Sequence, residues 1–246
     1  ALVSNTTASN NVAAGYLALT ANTTGTNNVA MGANALEANT TANNNTAVGR
    51  SSLGANTTGT KNTAVGQGSL SSNTTANNNT AFGVDVLNAN TTGTQNTGVG
   101  LQALNANTTG DYNIALGVNA LLNNTTADSN VAVGVNAMNQ NTTGATNTAF
   151  GHSALNANTT GNQNTAVGGF ALDASSGANE NTAMGYQSLT ACTSGEGHAA
   201  FGWKSLSATT TANDNTAFGH AAARDTTTGA ENTVVGRAAF QVNTTG

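Results

Sequence analysis

The sequence contains no proline and very few charged side chains. Of 246 residues, 5 are Lys or Arg and 10 are Asp or Glu, so the net charge is −5 and the charged fraction is 6%. Ordinary soluble domains have about 25% charged residues. Five cations cannot neutralise a track of phosphates, and an acidic chain is not attracted to anionic lipid. The composition therefore argues against nucleic acid and against an anionic membrane surface as partners.

Cysteine, aromatic residues and long apolar runs are equally scarce. The single cysteine, Cys192, excludes an intrachain disulfide framework and any metal site built from several cysteines. No run of about 18 apolar residues occurs, so we expect no membrane insertion. The acidic residues are scattered singly, and no calcium loop, phosphate loop or dinucleotide fingerprint is present. The sequence predicts no catalytic, cofactor-binding or metal site, and we expect the chain not to be an enzyme.

An internal repeat organises the whole chain. From Gly15 to Gly236 a glycine recurs at every seventeenth position, through fourteen repeats with no insertion or deletion. With this glycine as position 5, the repeat reads N-[TV]-A-[VFML]-G-x-x-[AS]-L-x-A-N-T-T-[GA]-x-x, and residues 62–78 are representative. In that repeat the regular columns are occupied by Asn62, Val65, Gly66, Leu70 and Asn73.

The repeat predicts an all-β fold, a parallel β-solenoid. Seventeen residues are too few for a helix–turn–helix repeat. Positions 1–4 and 8–11 are each typical of a short strand, and the glycine and Asn-Thr-Thr segments between them are typical of turns. About fourteen coils then stack at roughly 4.8 Å, with apolar stripes and asparagine ladders along the stack. We expect positions 2 and 4 to face the core and positions 1, 3 and 5 to form a flat outer face.

The columns become less regular towards the C-terminus. We expect a single β-solenoid domain over residues 1–246, with regular coils in 1–173 and more divergent coils in 174–246. The sequence begins and ends inside a repeat and shows no polar terminal caps, which solenoids need. It is therefore expected to be a segment of a longer fibre chain, or to have its ends covered by partners.

Bulky side chains gather at positions 6 and 7 of the divergent coils. Stacking would place Tyr186, Trp203 and His220 in one exposed column, with Phe170 and Lys204 beside it. An aromatic strip with hydrogen-bonding edges suits contact with a host-surface glycan or receptor. Packing against a neighbouring domain or a partner chain, and simple sequence drift, are the alternative interpretations.

Two further features have both a chemical and a structural interpretation. Cys192 and His198 lie six residues apart and each replaces an asparagine of the repeat. They are interpreted either as a cysteine–histidine nucleophile pair or as two unrelated substitutions in asparagine columns. Eleven N-T-T triplets match the N-glycosylation acceptor pattern, but asparagine also initiates turns and recurs because the coil recurs. The triplets begin at Asn5, Asn22, Asn39, Asn56, Asn73, Asn90, Asn107, Asn124, Asn141, Asn158 and Asn243.

The motif N-[TV]-A-V-G-x-x-[AS] resembles the head repeats of YadA-type trimeric autotransporter adhesins. Its NTAVG and NTTG segments are also similar to repeats in the tail fibres of phages and other viral fibres. The resemblance covers all fourteen repeats, and it implies a left-handed β-roll, a homotrimer and an extracellular location on a virion or cell surface. The repeat is longer than in the adhesins and lacks one residue before the Val-Ala-x-Gly core.

Three functions compete on this sequence. The uninterrupted repeat and the low charge favour a rigid, non-enzymatic fibre or stalk segment of an attachment protein, with host contact in its C-terminal third. Regular threonine pairs, such as Thr23-Thr24 and Thr57-Thr58, would instead suit an ice-binding β-solenoid. A depolymerase would need paired acids in one groove, which the scattered carboxylates do not offer.

Overall fold

A computed structural model of the chain describes residues 1–242 and residue 244. These residues form an all-β protein with fourteen strands of three residues each and no helix. The chain divides into two compact units, Ala1–Thr126 and Ala127–Gly246. The first unit contains β1 (Val12–Ala14), β2 (Val29–Met31), β3 (Thr46–Val48), β4 (Thr63–Val65), β5 (Thr80–Phe82), β6 (Thr97–Val99) and β7 (Ile114–Leu116). The second contains β8 (Val131–Val133), β9 (Thr148–Phe150), β10 (Thr165–Val167), β11 (Thr182–Met184), β12 (Ala199–Phe201), β13 (Thr216–Phe218) and β14 (Thr233–Val235). No helix that could cross a membrane is found in the described part of the chain.

Within each unit, every strand pairs in parallel with the equivalent strand of the next coil. In the pairing of β4 with β5, Ala64 lies opposite Ala81 and Val65 lies opposite Phe82, so the partners are one full repeat apart in the sequence. The same register joins β10 to β11 in the second unit. Equivalent positions of the repeat therefore stack on one another. The predicted parallel β-solenoid, with one repeat in each coil, is confirmed.

Each coil contains one strand rather than the two that the sequence predicts. Positions 8–11 form turns, and the backbone has a left-handed φ at positions 7, 9 and 17 throughout the repeats. Leu70, at position 9, has a φ of 50° and is fully buried. Its N–H still donates to the main-chain oxygen of Val86 in the next coil at 2.9 Å. A left-handed residue costs about 1–2 kcal/mol, and the buried leucine column offsets that cost.

The middle residue of each strand faces the core. Ala64 has no exposed surface, whereas its neighbours Thr63 and Val65 are only partly buried and point outward. The prediction that positions 2 and 4 face the core, with positions 1, 3 and 5 on an outer face, is therefore wrong. The leucine column already fills much of the narrow interior, so the small side chain of alanine is favoured at position 3, where Gly98 and Val234 are the exceptions.

A compensating pair of residues shows how tightly the core is packed. Position 3 is glycine only at Gly98, and position 8 carries a side chain larger than Ala or Ser only at Val86. A Cβ atom added to Gly98 would lie 2.5 Å from Cγ1 of Val86. The extra methyl group of Val86 thus occupies the space that the alanine side chain fills in neighbouring coils.

Two buried asparagine ladders complete the interior. At position 12, Nδ2 of Asn73 donates to Oδ1 of Asn56 at 2.9 Å and to the main-chain oxygen of Ala76 at 3.2 Å. At position 1, Nδ2 of Asn62 donates to the same oxygen of Ala76 at 2.8 Å, and its Oδ1 accepts from the N–H of Asn79 at 3.0 Å. Buried amides are stable only when they are hydrogen-bonded in this way. The predicted amide ladders are confirmed.

Candidate functional site

In each unit, the outward side chains at positions 2 and 4 of the strands form a surface that we call the strand face. Position 4 is apolar in every coil, and Phe82, Phe150 and Phe218 leave 55%, 56% and 59% of their surface exposed. None of the fourteen strands contains a charged residue. Val65, predicted as part of a core stripe, belongs to this face. A regular row of exposed apolar side chains is typical of an interaction surface.

The aromatic side chains predicted to form one column separate into two groups. Trp203 stacks on His220, with centroids 4.6 Å apart and ring planes 15° apart. Tyr186 instead meets Phe170 edge-on at a centroid distance of 6.0 Å. The ring of Tyr186 leans over Gly169, where an added Cβ atom would lie 3.4 Å from Cδ2 of the ring. The predicted surface residues therefore come together in pairs rather than as a single strip.

A groove of about 440 Å³ opens beside Trp203 in the second unit, and we call it the Trp203 groove. Lys204, Arg224 and Asp225 bring three charges to its walls. The sequence pattern predicts Lys204 next to the aromatic positions but does not predict that Arg224 and Asp225 join them. The repeat does mark Asp225, because this is the only coil in which position 11 carries a charged residue.

The guanidinium of Arg224 is held in one orientation. Its Nε donates to Oδ1 of Asp225 at 2.9 Å and its Nη2 donates to Oδ2 at 2.7 Å. With its amide turned so that the oxygen faces the guanidinium, Gln241 accepts from Nη1 at 2.8 Å. The hydrogen bonds between the pair lower the pKa of Asp225 and raise the pKa of Arg224. Both groups are therefore charged at neutral pH, and the groove has a fixed cation on one wall.

Neutral polar side chains line the rest of the groove. Gln187, Thr190 and Ser207 supply hydroxyl and amide groups beside the charged residues. The hydroxyl of Thr190 donates to the carboxylate of Asp173, which lies in the preceding coil. The lining therefore combines an aromatic ring, two cations, one carboxylate and three neutral hydrogen-bonding groups.

Cys192 and His198 occupy two different asparagine columns. Sγ of Cys192 donates to the main-chain oxygen of Gly195 at 3.3 Å, the contact that position 12 asparagines make with Nδ2. Nε2 of His198 lies 2.7 Å from the main-chain oxygen of Ala212, and Nδ1 accepts from the N–H of Asn215 at 3.2 Å. These are the two contacts of a position 1 asparagine. Each side chain therefore replaces asparagine on its own.

Burial sets the protonation of both side chains. It raises the pKa of Cys192 to about 11, so the thiol is protonated at neutral pH and is a poor nucleophile. Burial also lowers the pKa of His198, and the bonds to main-chain groups only partly oppose this. A neutral imidazole can donate from one nitrogen and accept at the other, as this position requires. The contacts favour the structural interpretation of both residues.

We expect His198 to make the protein less stable as the pH is lowered. Its pKa is lower in the folded state than in the unfolded state, so below about pH 6.5 the unfolded chain takes up the proton first. The free energy of unfolding should therefore fall as the pH is lowered through about 6.5, and His198→Asn should remove this component. Urea unfolding at several pH values measures it, with the exposed His152→Asn as control. An unchanged pH profile for His198→Asn would contradict this prediction.

The asparagines of the N-T-T triplets are largely buried. From Asn22 to Asn158 each has no exposed surface, whereas Asn5 is exposed in the first coil. Nδ2, the atom that a glycan would occupy, donates inside the core, as Asn73 shows. The triplet beginning at Asn243 lies outside the described residues. The turn interpretation therefore accounts for the buried triplets.

The threonine pairs of these triplets lie in bends rather than in strands. Oγ1 of Thr57 donates to the main-chain oxygen of Thr74 at 3.1 Å, and the following residue, Thr58, is exposed. Position 13 hydroxyls are thus used within the solenoid. The outward threonines that do stand on strands are those at position 2 of the strand face.

Within residues 1–242 and 244, no three side chains of His, Cys, Asp or Glu come close enough to hold a metal ion. The strand face and the Trp203 groove are the surfaces with the most evident capacity for binding. Comparison of the chain with models of protein families gave no match, and comparison with curated proteins gave none either.

Proposed function

We propose that the chain is a rigid, non-enzymatic fibre or stalk segment of an attachment protein on the outside of a virion or cell, and that it acts as a homotrimer. The observation that carries this proposal is the strand face, which has an apolar side chain at position 4 of every coil and no charged residue in any strand. The resemblance to YadA-type adhesin heads and viral tail-fibre repeats supports the trimer and the extracellular location. An isolated chain would leave this face in water.

A second copy of the chain is the partner that best fits the strand face. Side chains on the face recur at the strand spacing of about 4.8 Å, so a partner must present apolar groups with the same period. The face offers no charge with which a partner of different chemistry could pair, and interface cores are depleted of charge. Identical faces meeting about a closed symmetry axis would bury every copy of the row and prevent open-ended association.

The bonding between coils suits a stiff spacer. The N–H of Gly66 donates to the main-chain oxygen of Val48 at 2.7 Å, and the N–H of Thr63 donates to that of Asn79 at 2.9 Å. Backbone groups and side-chain amides are thus paired along the direction in which coils stack. Local opening of one coil would break bonds to both neighbours, so the segment should resist fraying and proteolysis.

Charges placed on the strand face are expected to dissociate the trimer. We expect Phe82→Lys combined with Phe150→Lys to lower the native mass from three chains to one, because each lysine would have to be buried without a partner at the interface. Both phenylalanines are more than half exposed in a single chain, so the core is untouched. Light scattering measures the mass, and thermal unfolding confirms that the solenoid is intact.

A matched pair of exposed turn positions provides the control. Thr24→Lys combined with Thr143→Lys adds the same charge away from the strands, at position 14 of two coils. This variant should keep the mass of the wild-type protein. Loss of assembly in the control, or an unchanged mass in the strand-face variant, would contradict the proposed interface.

Ice binding is the second candidate, and one observation favours it. Outward threonines follow one another at position 2 of β3, β4, β5 and β6, next to the apolar residues of position 4. A flat sheet that alternates hydroxyl and methyl groups at a fixed spacing can order water. A thermal-hysteresis assay separates the candidates, because a face buried in a trimer cannot bind ice. Hysteresis in a monomeric protein would favour ice binding over the fibre.

A further inference from the structure

We propose that the Trp203 groove binds an acidic saccharide, a sugar that carries a carboxylate group. This site goes beyond the fibre role, and none of its residues belongs to a strand. It therefore does not depend on the strand face or on the trimer. The groove offers a ligand an aromatic ring, two cations and several neutral hydrogen-bonding groups.

Trp203 supplies the apolar surface that a sugar ring needs. The residue is 40% exposed, and stacking on His220 fixes the orientation of its indole. Aromatic side chains of this kind present a rigid apolar body together with polar edges. Nζ of Lys204 lies 4.7 Å from the centroid of the indole, so a positive charge and an aromatic ring are adjacent. A ligand that contacts the indole can therefore place an anionic group beside the ammonium.

The two cations differ in what they already bind. Arg224 is already paired with Asp225, whose Oδ2 lies 2.7 Å from its Nη2. Lys204 has no such carboxylate partner in the described part of the chain, and its ammonium is held only over the indole. The lining therefore carries two positive charges and one negative charge, and the carboxylate of Asp173, outside the lining, accepts from the hydroxyl of Thr190. Because Arg224 is already paired with Asp225, Lys204 is the expected partner of an anionic group.

The remaining groups match sugar hydroxyls rather than a second anion. Asp225 can accept from a hydroxyl group while it holds Arg224, and Gln187 and Ser207 can each donate or accept. One uncompensated cation is enough for a single carboxylate but not for a phosphate polymer. A saccharide with one carboxylate per binding unit is the ligand that satisfies the ring, the charge and the neutral groups together.

The single tryptophan of the chain makes the test direct, because all indole fluorescence comes from Trp203. We would titrate the full chain with sialyllactose, with trigalacturonate and, as the neutral control, with lactose. Saturable fluorescence change with either acidic probe, and binding of lactose at least about tenfold weaker, is expected. The two acidic probes distinguish a sialylated ligand from a uronate ligand. No change with either acidic probe, or equal binding of lactose, would overturn the proposal.

The two lysines of the chain form a matched pair of variants. Lys204→Gln should weaken binding of the acidic probe by about tenfold or more, because it removes a charge-assisted hydrogen bond. Lys61→Gln removes the same charge in the first unit, at a position distant in the sequence from the groove residues, and should leave binding unchanged. Equal effects of the two substitutions would show a general charge effect and overturn the site. The native mass of Lys204→Gln should equal that of the wild-type protein, which separates this test from that of the trimer.

Discussion

Replacing Gly168 by alanine is expected to destabilise the second unit severely, whereas the same change at the neighbouring Gly169 should have little effect. Gly168 has a φ of +131°, a conformation that is essentially restricted to glycine. A Cβ atom there would lie 2.6 Å from the main-chain oxygen of Gly185 in the next coil. Strain and clash together should reduce the free energy of unfolding by about 3 kcal/mol or more.

The clash at Gly168 has no simple relief, because its own N–H donates to the main-chain oxygen of Phe150 at 2.8 Å. Moving the backbone would break this bond and displace the glycine column. At Gly169 the nearest obstacle to a Cβ atom is the ring of Tyr186 at 3.4 Å, an ordinary contact. Urea unfolding of Gly168→Ala and Gly169→Ala measures the difference. Similar stability of the two variants would contradict the close approach of glycines in successive coils.

The second large effect is expected from breaking the asparagine ladder. Nδ2 of Asn90 donates to Oδ1 of Asn73 at 3.1 Å and to the main-chain oxygen of Gly93 at 2.9 Å. Its own Oδ1 accepts from Nδ2 of Asn107 at 2.9 Å. Asn90→Ala would leave Oδ1 of Asn73 and one N–H of the Asn107 amide without partners, whereas the main-chain oxygen of Gly93 would keep its hydrogen bond from Nδ2 of Asn79. At about 1–3 kcal/mol for each unsatisfied buried group, we expect a loss of about 2–5 kcal/mol in the free energy of unfolding.

Thr92→Ala is the control for the ladder, since this exposed residue lies in the same turn. Its free energy of unfolding should stay within about 0.5 kcal/mol of the wild-type value. At Ser175 the ladder asparagine is already replaced in the chain. The buried Oγ of this serine has no hydrogen-bond partner. Ser175→Asn should restore the contact and raise stability. If neither Asn90→Ala nor Ser175→Asn changed the free energy of unfolding, the asparagine ladder would contribute nothing to stability.

The period and the ladders could be predicted from the sequence because both follow from repetition alone. The regular recurrence of glycine fixes the length of the coil, and stacked asparagines must meet their own copies. The side of the strand that faces the core could not be predicted in this way. Hydrophobicity favours Val65 for the interior over Ala64, but tight packing beside the leucine column favours the smaller side chain. The paired changes at Gly98 and Val86 were the signal that could have revealed it.

The turns at positions 8–11 and the Trp203 groove could not be predicted from the sequence, for two different reasons. Leu70 alternates with small residues as a strand residue would, and left-handed leucine is so unfavourable that no local pattern predicts it. The aromatic positions could be predicted because bulky residues such as Trp203 and His220 follow one another at position 6 of successive coils. Arg224 and Asp225 lie at other positions of the next coil, and only the fold brings them beside Trp203.

Light scattering on the unmodified chain tests most directly the claim that the strand face joins copies of this protein. We predict a native mass near three times the chain mass of 24.1 kDa, with the phenylalanines of the strand face protected from water. A mass of one chain at the same concentration, with the solenoid folded, would contradict the claim, because the apolar row would then stand exposed without a partner.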